Sequence, residues 1–107
     1  MIKAIGLYDW HLPSRDELNQ MYVNLHQQGV GGFASDGYWS SSESSANGAW
    51  LQHFGAGSHG IGSKDFSGCV RAVRALPFAG DLYEVYPEDA PEMMTWDEAM
   101  DWCKDLN

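Results

Sequence analysis

Leu12-Pro13-Ser14-Arg15-Asp16-Glu17-Leu18 opens the first element of this chain. Ser14 stands at a helix N-cap, Glu17 holds the reciprocal capping-box position, and Asp16 and Glu17 place negative charge on the positively polarised first turn. Leu18, Met21, Tyr22 and Leu25 follow at i, i+3, i+4 and i+7, which predicts one apolar helix face. Gly29 is the expected stop, with Gly31-Gly32 beyond it. The same signature returns at the far end. Thr95 and Glu98 have capping-box spacing, and Trp96, Ala99, Met100, Cys103 and Leu106 share a face of a terminal helix over 95–106.

Between these helices the pattern turns short and β-like. Met1–Leu7 reads as a strand. Tyr38-Trp39-Ser40-Ser41-Ser42-Glu43 reads as a strand entering a turn. Ala49–Phe54 alternates, with Trp50, Gln52 and Phe54 on one face and Leu51 and His53 on the other. Gly55–Gly68, rich in glycine and serine, predicts a long irregular loop or hairpin. Cys69–Leu76 is a strand whose tandem Val-Arg-Ala does not alternate, so both its faces should be covered. Leu82–Tyr86 is a further strand, and Pro87-Glu88-Asp89-Ala90-Pro91 is a rigid acidic turn. The expectation is an α+β fold in one domain, residues 1–107, with two amphipathic helices on short, mostly antiparallel strands.

Composition bounds the partners. The 107 residues are 44% hydrophobic, enough for one core. Five Trp, five Tyr and four Phe are generous for this length, and small domains often spend such an excess on recognition. A net charge of −9 with six Lys and Arg disfavours nucleic acid and anionic membrane, both of which call for a basic patch. No apolar run approaches the ~18 residues of a membrane span. The first residues, Met1-Ile2-Lys3-Ala4-Ile5-Gly6, turn polar too soon for a signal peptide, so an extracellular destination calls for a carrier such as a virion or a fusion partner. Cys69 and Cys103 allow either two buried thiols or one disulfide, whose loop of about 35 residues would be worth roughly 3–4 kcal/mol.

Three motifs in order carry a family resemblance: Trp10-His11-Leu12-Pro13-Ser14-Arg15-Asp16-Glu17-Leu18, Gly37-Tyr38-Trp39-Ser40-Ser41-Ser42-Glu43 and Val70-Arg71-Ala72-Val73-Arg74-Ala75. Together they resemble the C-terminal domain of the Legionella collagen-like adhesin and its bacterial and phage relatives. That resemblance implies a C-type-lectin-like fold, a trimer, and binding of a glycan or protein at a virion or cell surface. The collagen-like adhesin's own domain binds sulfated polysaccharide. The stretch between the second and third motifs is also similar in layout to the variable proteins of diversity-generating retroelements. There a Tyr-Trp-Ser-Ser-Ser-Glu start and a Val-Arg-Ala-Val-Arg-Ala end bracket a rewritten segment, here residues 44–68. In the family a Thr-Trp-Asp-Glu-Ala helix normally precedes the Trp-x-Leu-Pro segment, whereas here Thr95–Cys103 comes last, as in a circular permutant, a unit cut out of phase from a tandem array, or a protomer whose terminal helix completes its neighbour. Lectin-like folds commonly tie their first helix to the last strand, so the resemblance also implies a Cys69–Cys103 bridge.

The residues themselves argue for recognition over catalysis. His11, His26, His53 and His59 are scattered, with no metal-ligand spacing. Ser40-Ser41-Ser42 lies in a strand, not a nucleophile elbow. Gly55–Gly62 lacks the lysine-serine ending of a phosphate cradle. The calcium motifs of sugar-binding lectins are missing, so neither cofactor nor metal is expected. A relative of the formylglycine-generating oxidases would need an accessible redox cysteine pair, and these two cysteines look structural. Arg71 and Arg74 in a covered strand need partners, and Glu43 is the expected one for either. Trp39 and Trp50 are expected in the core. The expected contact residues are Ser44, Ser45, Asn47, His53, Ser58, His59, Ile61, Asp65 and Phe66, a mix of anchoring and adaptable groups typical of recognition loops.

Overall fold

The computed structural model describes residues 9–76 and 83–107. The first helix, α1, spans Arg15–Asn24, and its capping box is complete. Ser14 Oγ accepts from Glu17 N (3.2 Å) while Glu17 Oε1 accepts from Ser14 N (2.8 Å). The α-helix ends at Asn24, five residues before the expected stop at Gly29. A 3₁₀ turn, His26–Gln28, carries the chain on to Gly29, whose φ of 77° closes the turn. The terminal helix, α2, spans Trp96–Asp105 with the second capping box also closed. It buries Trp96, Ala99 and Cys103. Met100 departs from the expected face and is exposed, while Trp102 packs edge-on against Tyr86, centroids 5.6 Å apart.

Three strands form the main sheet: β1 (Gly37–Glu43), β2 (Gly48–His53) and β3 (His59–Ser63), antiparallel in the order β1-β2-β3. Thus Gly55–Gly68 is not wholly irregular. Its middle folds back on β2 as an edge strand. A second, two-stranded antiparallel sheet joins β4 (Val73–Ala75) and β5 (Tyr83–Val85). The expected strand Cys69–Leu76 thereby shortens to three residues, because Cys69 makes only a parallel bridge to Tyr38. Its faces are covered as expected, with Val70, Arg71, Ala72 and Val73 all buried. The expected strand Met1–Leu7 and the Leu82 end of the last strand lie outside the described residues.

Each face of the main sheet carries one helix. α1 runs along β2 so that Arg15, Asn19 and Tyr22 meet Trp50, Gln52 and Phe54 in turn. The Arg15 guanidinium lies 3.9 Å above the Trp50 ring, Gln52 Nε2 donates to Asn19 Oδ1 (3.0 Å), and the Tyr22 and Phe54 rings are 5.3 Å apart. This match is geometric, since one turn of helix and two residues of strand advance by similar distances, about 5–7 Å. Trp50 is therefore half-buried beneath an arginine and not in the core. The opposite face presents Trp39, Ala49 and Leu51 to Trp96, Ala99 and Cys103 of α2. A second cluster, Leu18, Met21, Tyr38, Phe54 and Val73, fills the α1 side.

The two cysteines are unpaired, which corrects the bridge implied by the resemblance. Cys103 is sealed in the α2 cluster, whereas Cys69 packs against the α1 cluster on the other side of β1. Burial pushes the Cys103 thiol up to about 12 and the Cys69 thiol up to about 11. At neutral pH neither is a thiolate, the form that attacks disulfides and binds metals.

Candidate functional site

The motifs that bracket residues 44–68 are architecture. Tyr38 and Trp39 are 0% and 1% exposed. Tyr38 Oη donates to Asp89 Oδ2 (2.6 Å) and accepts from Ala34 N (2.9 Å). Trp39 Nε1 donates to Met94 O (2.9 Å), and Trp96 Nε1 donates to Ser40 O (2.9 Å), so two indoles stitch β1 to the start of α2. Ser40 Oγ donates to Trp50 O (2.6 Å) where the β1–β2 register shifts. Ser42 Oγ accepts from Arg15 N (2.9 Å). The Tyr38, Ser40 and Ser42 hydroxyls and the Trp39 indole each meet a backbone group, which explains small polar residues in this strand.

The arginines of the third motif are paired, though not as expected. Arg71, 2% exposed, donates from Nε to Asp89 Oδ1 (2.7 Å), from Nη1 to Gly31 O (2.8 Å) and Tyr86 O (3.3 Å), and from Nη2 to Gly32 O (3.3 Å). Its Cζ lies 4.3 Å from the centre of the Phe33 ring. Arg74 Nε donates to Glu84 Oε1 (2.6 Å) across the β4–β5 pair. Glu43 is partner to neither. It accepts from Lys64 Nζ (2.6 Å), because the β1 end lies beside the end of β3 and not beside the Val-Arg-Ala segment.

Lys64 is a latch whose role the sequence motifs do not bring out. Its Nζ also donates to Ala46 O (3.0 Å) and sits 4.2 Å over the Trp96 ring, joining the β1–β2 turn, β3 and α2. Asp89 was missed as well. Its one sequence signal is its place between Pro87 and Pro91, in a turn rigid enough to hold a carboxylate under both Tyr38 and Arg71.

Against this fixed frame, all nine expected contact residues are exposed. Ser44, Ser45 and Asn47 form the β1–β2 turn. Gly48 pairs with Ser63, so Asp65 and Phe66 lie at that same end of the sheet. His53, Ser58 and His59 lie at the opposite end of the β2–β3 hairpin, about 13 Å away along the strand, with Ile61 between. The expected face is thus one hairpin edge with two ends. Ile61 at 59% and Phe66 at 66% are the most exposed large hydrophobics among the described residues.

Among the described residues no group of three His, Cys, Asp or Glu side chains could hold a metal ion. His11, away from this edge, bonds Glu17 at 3.2 Å. That bond raises the His11 pKa, with burial opposing and the Asp9 carbonyl assisting. Burial works against the Glu17 carboxylate, yet the His11 and Ser14 hydrogen bonds together hold it at about 2. This pair serves the capping box of α1. Among the described residues no helix is long and apolar enough to cross a membrane.

The described residues form an α+β scaffold with an exposed β2–β3 hairpin. Residues 2–74 match the Lcl C-terminal domain, and the chain belongs to that family. The family is that of a surface, adhesin-associated domain. A search of the curated proteins returns no match. The match ends before α2, whose packing is described above. Asn107 at its end bonds Trp10, Oδ1 accepting from N (2.7 Å) and Nδ2 donating to O (3.1 Å), which sets the C-terminus beside the first family motif.

Proposed function

We propose that this domain is a non-enzymatic recognition module, carried on a virion or cell surface, that binds a host glycan or protein through residues 44–68. The observation that carries the reading is a division of labour along the chain. Tyr38, Trp39, Ser40, Val70, Arg71, Ala72 and Val73 are buried, while Ser44, Ser45, Asn47, His53, Ser58, His59, Ile61, Asp65 and Phe66 between them are exposed. A scaffold so divided tolerates replacement of its displayed residues with little cost to the core, as exposed substitutions generally do. A C-type-lectin-like topology and a trimer fit the family resemblance, and avidity from a trimer would raise weak single-site affinity.

The test is to exchange the exposed side chains of residues 44–68, keeping Ala49, Gln52, Phe54, Gly57, Gly62 and Lys64. Capture of the host-cell ligand is expected to be lost or redirected while thermal stability is kept. Unchanged capture after the exchange would sink the reading and favour a structural fibre or decoration role.

A further inference from the structure

Among the described residues β3 is an uncovered edge of the main sheet. Lys64 N donates to Asn47 O (2.9 Å) and His53 N donates to Ser58 O (2.9 Å) at the two ends of the β2–β3 ladder. Antiparallel pairs alternate between bonded and non-bonded, so Gly60 and Gly62 direct their N–H and C=O inward to β2. His59, Ile61 and Ser63 then direct theirs outward. The Ser63 carbonyl accepts from Phe66 N (2.9 Å). Among the described residues the N–H groups of His59, Ile61 and Ser63 and the carbonyls of His59 and Ile61 meet no protein partner.

Natural proteins guard such edges with lysine, proline, a bulge or a covering segment. His59-Gly60-Ile61-Gly62-Ser63 holds no lysine, proline or bulge, and no segment among the described residues covers it. The glycines add shape. A Cβ on Gly62 would strike Leu51 at 2.8 Å, so that position is filled, whereas a Cβ on Gly60 would meet nothing within 4 Å. A bulky side chain on an added strand could cover Gly60, as aromatics cover edge glycines elsewhere. On the other face stands Ile61, ready for a cross-strand apolar contact.

Charge decides the occupant. Arg15 is stacked on Trp50, and Lys64, Arg71 and Arg74 are paired with Glu43, Asp89 and Glu84. Asp65, two residues past the strand, has no ion-pair partner among the described residues, and the whole chain carries −9. Two copies would repel, and an antiparallel pair centred on Ile61 would set Gly60 against glycine and leave its hollow empty. We infer that β3 recognises an extended, lysine- or arginine-bearing segment of a partner protein by adding it as a fourth strand, main chain to main chain. The inference rests on the displayed-segment reading and names the ligand class for it.

The probe is a pool of acetylated heptapeptides with lysine at alternate positions and varied residues between, with a glutamate pool as control. Binding is read by amide exchange and by affinity. Enriched lysine peptides should slow exchange of the His59, Ile61 and Ser63 amides, bind about tenfold or more tightly than glutamate counterparts, and weaken with salt. His59→Pro and Ile61→Pro each remove an outward N–H that the fold does not use, a position where edge strands accept proline. Either variant, once shown to be folded, should lose about tenfold or more. Lack of amide protection in the wild-type domain, or proline variants that bind normally, overturns the inference. Protection that grows with protein concentration and no peptide also overturns it, in favour of a second copy. If side-chain exchanges abolish binding while the prolines do not, strand addition fails and the displayed-segment reading survives.

Discussion

Replacing Arg71 by methionine tests the interior on which the display surface rests. The guanidinium is 2% exposed and satisfies four acceptors: Asp89 at 2.7 Å, Gly31 O at 2.8 Å, and Tyr86 O and Gly32 O at 3.3 Å each. Methionine fills much of the volume but supplies no donor. Asp89, 25% exposed in its side chain, would keep only the Tyr38 hydroxyl, and three carbonyls would lose a donor. Breaking a buried pair from one side costs about 3–5 kcal/mol, and the partial exposure of Asp89 argues for the lower half of that range. For a chain of this length about 3 kcal/mol lowers the melting temperature by roughly 12–24 °C. Urea unfolding followed by tryptophan fluorescence measures it directly. Arg71→Lys should recover only part of the loss, since an ammonium cannot span acceptors on three segments as a planar fork does. Adding Asp89→Leu to Arg71→Met should cost less than the sum of the two single changes, because the stranded carboxylate is gone. A methionine variant within about 1 kcal/mol of wild type, or strictly additive effects, would refute the reasoning.

Two further outcomes are expected. The His11–Glu17 pair gives stability a window in pH. His11 has a folded pKa raised above its ordinary 6.5, so its contribution is full below that value and fades as pH rises through the folded value. Glu17, lowered from 4.5 to about 2, contributes above 4.5 and loses that contribution as pH falls toward 2. Thermal melts should therefore show the pair's effect greatest between about pH 4.5 and 6.5, and Glu17→Gln should abolish it and return the His11 titration toward its ordinary value. The glycines of the hairpin divide sharply: Gly57→Ala, with φ at 80° and a Cβ 2.7 Å from Tyr22 Oη, should destabilise by more than about 1 kcal/mol, while Gly60→Ala should stay within about 0.5 kcal/mol. Equal melting temperatures for the two variants would contradict that assignment.

The contrast between what was legible and what was not follows the range of the forces involved. Both capping boxes, the i, i+3, i+4, i+7 face of α1 and the exposure of all nine displayed residues could be read from the chain, because each depends on neighbours within a turn or on local polarity. The partner of Glu43 could not. Only the antiparallel return of β3 brings Lys64, 21 residues away, within 2.6 Å of it. Nor could Asp89 be found, because its value lies in meeting Tyr38 from 51 residues off and Arg71 from 18. The cysteines show the same limit: a spacing permits a bridge, but β1 and its two helices place Cys69 and Cys103 in different clusters. Sequence by itself determined the α+β class, the two helices, the family and the exposure of the nine residues between the motifs. Tertiary structure alone decided which charges pair, and that this exposed stretch is a hairpin whose outer edge is bare among the described residues, since both depend on which strands lie side by side.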